Sequence, residues 1–262
     1  MNALHPQLLS GKSDELIEWI HAPSKEKILL TIGTIIIGCG LYGATIGIWR
    51  SPLMGFYVAL KLPLLIFLTL GCNGILNGIL ALKLGSGLTF KQSLLCLLMS
   101  FSVLSLILGA LSPITLFFSF NTPVADSEHA TITHSFLLLF HTSLIAYAGV
   151  IANIHLYRTL TAYCPNQQSA KLTLYSWLLG NAFVGAQFSW ILRPFFGSPN
   201  LDVAFLRPSP MEGTFYGAVF RSLKTLFSTL PPHYTLLLWV LTGTGVLISI
   251  YHFSKHSKLK TL

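Results

Sequence analysis

Apolar residues come in long blocks separated by short polar connections, and six of these blocks have the length of a membrane crossing. A spanning helix needs about 20 mostly apolar residues. Runs of that kind fall at about 28–49, 62–83, 94–119, 132–157, 171–193 and 232–254. The pattern predicts an all-α polytopic membrane helix bundle with about six transmembrane helices and short amphipathic interfacial helices. A cytoplasmic amphipathic segment (1–26) precedes a six-span domain (27–254), and a basic tail (255–262) follows it.

The connections carry their own signals. In "SDELIEWIHAP", Ser13 can cap a helix whose apolar face is Leu16, Ile17, Trp19 and Ile20, ending before Pro23. Between the first two spans, "WRSPLMGFYVALK" is apolar but short, which predicts a re-entrant or interfacial element. Lys61 then marks the start of the second span, with its stem reaching back to the headgroups. In the long loop 194–231, "LDVAFL" (Leu201 to Leu206) alternates as a short strand would. Tyr216 to Phe227 sets Tyr216, Val219, Phe220, Leu223 and Phe227 at helical spacing, opposite Arg221 and Lys224.

Composition agrees with lipid as the solvent. Only 9% of residues are charged and 53% are hydrophobic, against roughly 25% charged in a soluble domain. Mean hydropathy is +0.68. The net charge of +8 would raise nucleic acid as a partner in a soluble chain. Here the basic residues flank apolar runs and suit lipid headgroups instead, so membrane lipids are expected partners and nucleic acid is not. Connection 120–131 has acids but no Lys or Arg, which sets it outside by the positive-inside rule. Both termini are then cytoplasmic. Of 16 basic residues, only Arg50, Lys61, Arg193, Arg207, Arg221 and Lys224 fall outside. The expected location is the inner (plasma) membrane.

Several intramembrane polar and small residues are candidates for contacts or a path. Gly43 with Gly47, and Gly74 with Gly78, form GxxxG pairs that favour close helix packing, with homodimerisation as the alternative. Asn73 and Asn77 lie one turn apart on the second span, and Asn181 and Gln187 lie on the fifth. They act either as glue between helices or as a polar lining. The fourth span holds His134, His141, Asn153 and His155. Hydrogen bonding inside the bundle is the plain role for these imidazoles, and a proton or quinone site is the sharper one. The spacing of His141 and His155 also suits haem, but each haem needs a second axial ligand. Only His252 is placed to pair with His155, so no cofactor is expected and haem remains the alternative. All four cysteines lack metal-ligand spacing, and no metal is expected.

Two Arg-Pro pairs bracket "SWILRPFFGSPNLDVAFLRP". Pro194 ends the fifth span, Trp190, Phe195 and Phe196 form an aromatic belt, and Gly197-Ser198-Pro199 turns the chain back. Arg193 and Arg207 either hold lipid phosphates or bind a carboxylate, Asp202 or a partner's acid, and so order the loop as a docking platform. No Walker loop, GxSxG, HExxH or internal repeat is present, and no acid lies within a span. Enzyme chemistry and carboxylate-coupled transport both lose ground accordingly.

At "GLYGATIGIWRSP", "KLPLL" and "GNAFVGAQFSWILRPFFGSP" the chain resembles a group of uncharacterised bacterial polytopic inner-membrane proteins. It is distantly similar to Yip1-type multi-span proteins, chiefly over about residues 30–120. The resemblance implies an assembly or membrane-organising role and transfers no catalytic residues. The leading expectation is a non-catalytic subunit or scaffold of a membrane protein complex. A small-solute transporter or channel using Asn73, Asn77, His141, Asn181 and Gln187 is the first alternative, and a membrane redox subunit the second.

Overall fold

The computed structural model describes residues 20, 24–198 and 201–229. Its elements are α1 (Lys25–Gly47), α2 (Pro52–Lys83), α3 (Phe90–Asn121), α4 (Ala130–Tyr163), α5 (Gln167–Ile191) and α6 (Phe215–Thr229). No strand occurs among the described residues. Helix starts are set by local chemistry. The hydroxyls of Ser24 and Ser51 accept from the amides of Lys27 and Met54. Thr89 and Gln92 form a reciprocal capping box, and the Asn166 side chain accepts from Ser169. Each satisfies an amide that the first helical turn leaves without a partner.

Four helices, α1 to α4, are long and apolar enough to cross a membrane. At 32 to 34 residues, α2, α3 and α4 are roughly 50 Å long. They exceed the ~30 Å hydrocarbon core, so their ends reach beyond it or the helices tilt. Among the described residues, four of the expected six spans meet this measure. α5 is long enough at 25 residues, but its Gln, Ser and Asn content keeps its mean apolarity below that of the others. The expected sixth span, 232–254, lies outside the described residues, as do most of the 1–26 segment and the 255–262 tail.

The expected interfacial element before Lys61 is corrected by the fold. Ser51 caps and Pro52 occupies the first turn of one helix that continues through Pro63 to Lys83. Proline suits N1 because that amide has no helical acceptor. An interior proline is tolerated where neighbouring helices and ordered groups re-satisfy the backbone.

α1 packs on α2 and α3, α2 also on α3 and α5, α3 on α4, and α4 on α5 and α6. Glycine contacts bring the α1 and α2 backbones together. A Cβ at Gly43 would lie 2.5 Å from the Val58 carbonyl oxygen, and one at Gly47 would collide with the Met54 carbonyl. The first GxxxG pair is thus an internal contact. Gly74 and Gly78 instead receive the side chains of Leu94 and Phe90 from α3. Leu41, Phe117, Leu179 and Phe183 point outward and are more than half exposed, as lipid-facing side chains would be.

One end of the bundle is closed by connections. Trp49 Nε1 donates to the Pro123 carbonyl at 2.9 Å, and Arg50 pairs with Asp126 at 3.5 Å. Gly197, at φ +70, lies so close over the Arg50 side chain that a Cβ would come within 2.7 Å of it. The 48–51 and 122–129 connections and the Arg-Pro segment therefore share one end, as the sequence pattern requires.

Candidate functional site

Over the closed end lies a cap built on the last turn of α5. The Arg193 guanidinium stacks on the Trp190 ring, 4.1 Å from its centroid. It donates to four carbonyls: Trp190 (3.1 Å), Ser209 (2.7 Å), Pro210 (2.8 Å) and Glu212 (3.1 Å). Trp190 Nε1 adds a bond to the Glu212 carbonyl at 2.7 Å. One planar cation and one indole thereby hold residues 209–212, a segment with no helix or ladder to satisfy its carbonyls. Gly213 follows at φ +79 against the Trp190 ring, where a side chain would be strained and would clash. The Arg193-Pro194 peptide is cis.

Of the two expectations for these arginines, lipid phosphates or a carboxylate, neither acceptor is the one seen within the chain, which is backbone carbonyl oxygen. Arg207 Nη1 donates to the backbone carbonyl of Asp202 at 3.1 Å, and Arg193 uses carbonyls alone. Partial burial and the neighbouring Arg193 charge press the Arg207 pKa below its ordinary value, while the Asp202 carboxylate raises it. Leu201 to Leu206 is irregular and forms no strand. Alternation needs a partner strand to become a ladder, and none lies beside it among the described residues.

Beneath the cap sits a residue whose role was not legible locally. Lys61 is fully buried on α2, and its Nζ donates to the Pro194 carbonyl at 2.9 Å. The ammonium lies 4.8 Å from the Phe205 centroid and 5.8 Å from that of Phe195. Tyr57 meets Phe205 edge-on at 5.3 Å. Lys61 therefore holds the cap from below; it does not reach toward headgroups. Phe196 turns the other way, toward Trp49, Ala125 and Leu137, and its ring is 5.5 Å from that of His141.

Lys61→Met should keep the bundle folded, because methionine fills a similar volume without a charge to desolvate. The Pro194 carbonyl would lose its donor, a cost of about 1.4 kcal/mol. The expected result is about tenfold faster amide exchange over 201–206 by mass spectrometry, with little change in Tm. Unchanged exchange would show that the cap stands without this bond.

Inside the bundle the polar residues fall into separate groups, and the side-chain oxygens of Asn73 and Asn77 are buried without a hydrogen-bond partner. Asn73 Nδ2 donates to Asn181 Oδ1 at 2.6 Å, and Asn77 Nδ2 reaches the same oxygen at 3.3 Å. Trp177 Nε1 donates to the Asn77 carbonyl at 2.8 Å. Gly180 makes room, since a Cβ there would stand 3.0 Å from the Asn73 amide. Gln187 is half-buried further along α5. His141, fully buried, pairs its Nδ1 with the Tyr42 hydroxyl at 3.0 Å. Asn153 donates back to the Gly149 carbonyl of its own helix. His155 keeps an enclosed Nδ1 without a hydrogen-bond partner, and His252, its proposed mate, lies outside the described residues.

Glu26 apart, the six helices contain no Asp or Glu. Among the described residues no three His, Cys, Asp or Glu side chains come together. No family model, no curated protein and no solved structure matches the chain.

Proposed function

We propose that this chain is a non-catalytic subunit or scaffold of a membrane protein complex, with the Arg193-centred cap as its docking platform. The observation that carries this reading is the spending of Arg193 on three carbonyls of the following loop and one of the last turn of α5. With both terminal nitrogens of its guanidinium committed to backbone carbonyls, Arg193 produces a fixed surface. Leu201, Leu206 and Met211 stand exposed on that surface, with Tyr216 and Phe220 on α6. These apolar side chains suit lipid or a neighbouring subunit. The bonds from Asn73 and Asn77 on α2 to Asn181 on α5 favour helix–helix contact over a solute path.

In this proposal α5 is a fifth span, with Leu179 and Phe183 toward lipid and Asn181 inward. The segment 232–254 is the sixth, and both termini are cytoplasmic with the cap on the outer face of the inner membrane. The likeness to Yip1-type proteins adds a membrane-organising role.

The test is gentle-detergent purification with mass analysis of bound proteins, comparing the native chain with Arg193→Lys. A lysine has no plane to stack on Trp190 and cannot span four carbonyls. The variant should keep its helix content but lose a stoichiometric partner. No partner on the native chain, or equal retention by the variant, would refute the docking role.

A further inference from the structure

Near the opposite end of the bundle, α3 and α4 line a half-open crevice with a volume of about 20 Å3, formed by Cys96, Met99, Ser100, Val103, His155, Leu156 and Thr159. That is room for about one small ligand atom or water. Cys96 and Met99 are three residues apart and share a helix face, and both are at least 95% buried, with 1% and 5% exposure. From α4, His155 brings an Nδ1 that is fully enclosed and has no hydrogen-bond partner. The two hydroxyls at the cavity are already committed: Ser100 donates to the Ala152 carbonyl at 3.5 Å, and Thr159 to the His155 carbonyl at 3.1 Å. What remains around the cavity is one thiol, one thioether and one imidazole. We propose that Cys96, Met99 and His155 form a binding site for a soft monovalent metal ion, Cu(I).

The donor set decides the class of ion. Thiolate and thioether sulfur select soft metals, and imidazole accompanies them in copper sites. No carboxylate lines the cavity, so a hard cation finds nothing to hold it. Charge decides between monovalent and divalent. On binding, Cys96 releases its proton to solvent and its sulfur bonds the ion, with no change of oxidation state. Cu(I) with one thiolate is neutral, whereas Zn2+ with one thiolate keeps a positive charge. Beside Val103 and Leu156 a residual charge is costly. Coordination also satisfies the enclosed His155 nitrogen, whose exposure to no donor or acceptor is otherwise an unrecovered desolvation cost. Neither the cap nor its docking role enters this inference.

The test uses the full chain purified in detergent under anaerobic, reducing conditions, with Cu(I) supplied as its coloured bicinchoninate complex. The native protein should bleach one equivalent. Cys96→Ser, Met99→Leu and His155→Ala should each weaken binding at least tenfold, while Cys72→Ser, at an exposed position, should not. Met99→Leu conserves volume, so folding is retained in at least one variant that removes a ligand. X-ray absorption of the loaded protein should show sulfur and imidazole scatterers. No bleaching by the native chain overturns the proposal. So does binding that survives Cys96→Ser but fails in Cys164→Ser, or a spectrum without sulfur.

Discussion

Replacing Gly38 with leucine is expected to prevent α1 and α3 from assembling. At Gly38 the two backbones touch. An added Cβ would collide with the Ser105 carbonyl oxygen and lie 2.8 Å from its carbon, and a Cβ on Gly109 would stand 3.0 Å from the Gly38 Cα. Backbone atoms cannot rotate aside as a side chain can, so the helices must separate. The same seam then loses three bonds: Cys39 with Ser105 at 3.1 Å, Thr45 with Thr115 at 2.6 Å, and Ser119 to the Thr45 carbonyl at 2.7 Å. Overpacking alone costs about 1–3 kcal/mol. Each interhelical bond adds about 0.6 kcal/mol in a membrane protein, and the sum, about 3–5 kcal/mol, reaches only the lower end of an ordinary domain's stability. SDS titration followed by circular dichroism should show Gly38→Leu unfolding at far lower detergent fraction, with Gly38→Ala intermediate. Gly33, whose Cβ would meet nothing within 4 Å, is the control. Gly33→Ala should be neutral or stabilising by about 0.5–1 kcal/mol. Equal stability of Gly38→Leu and the native chain would mean that this contact does not exist.

That contact illustrates which parts of the molecule were legible in the sequence. Long apolar blocks announce helices in lipid because length and apolarity are local properties, and α1 to α4 follow them. Small residues announce close packing but not its partner. Gly43 and Gly47 face α2 as their motif suggests, whereas Gly38 faces Ser105 and Gly74 receives Leu94. Lys61 looked like the start of a span because lysine beside an apolar run usually marks a boundary. Its acceptor lies 133 positions away at Pro194, and no local pattern carries that. The same holds for Arg193. Its placement at a helix end was legible, but its carbonyl acceptors belong to a fold of the loop that only the assembled cap defines. The apolar run of α5 announces a helix, while Asn181, which binds it to α2, is among the residues that lower its apolarity.

α5 carries the cap, so its anchor matters to everything above it, and that anchor is Trp177. Its side chain is fully buried with Ala81, Leu88, Cys96, Leu156 and Leu160, and its indole donates to Asn77 on α2. Trp177→Ala should cost about 3–5 kcal/mol, the range for truncating a buried large aromatic. In lipid this loss comes chiefly from packing, since acyl chains solvate apolar groups as well as protein does. Trp177→Phe keeps the ring contacts and drops only the indole bond, a cost of about 1 kcal/mol. Because Arg193 sits at the far end of the same helix, freeing α5 at Trp177 should also loosen residues 194–213. Limited proteolysis should therefore cut the cap of Trp177→Ala well before that of Trp177→Phe, alongside the loss of resistance to SDS. If Trp177→Ala lost stability but its cap stayed protected, then Lys61 and the contacts around Phe196 would be holding the cap without α5, and the docking platform would belong to α2 and α4 instead.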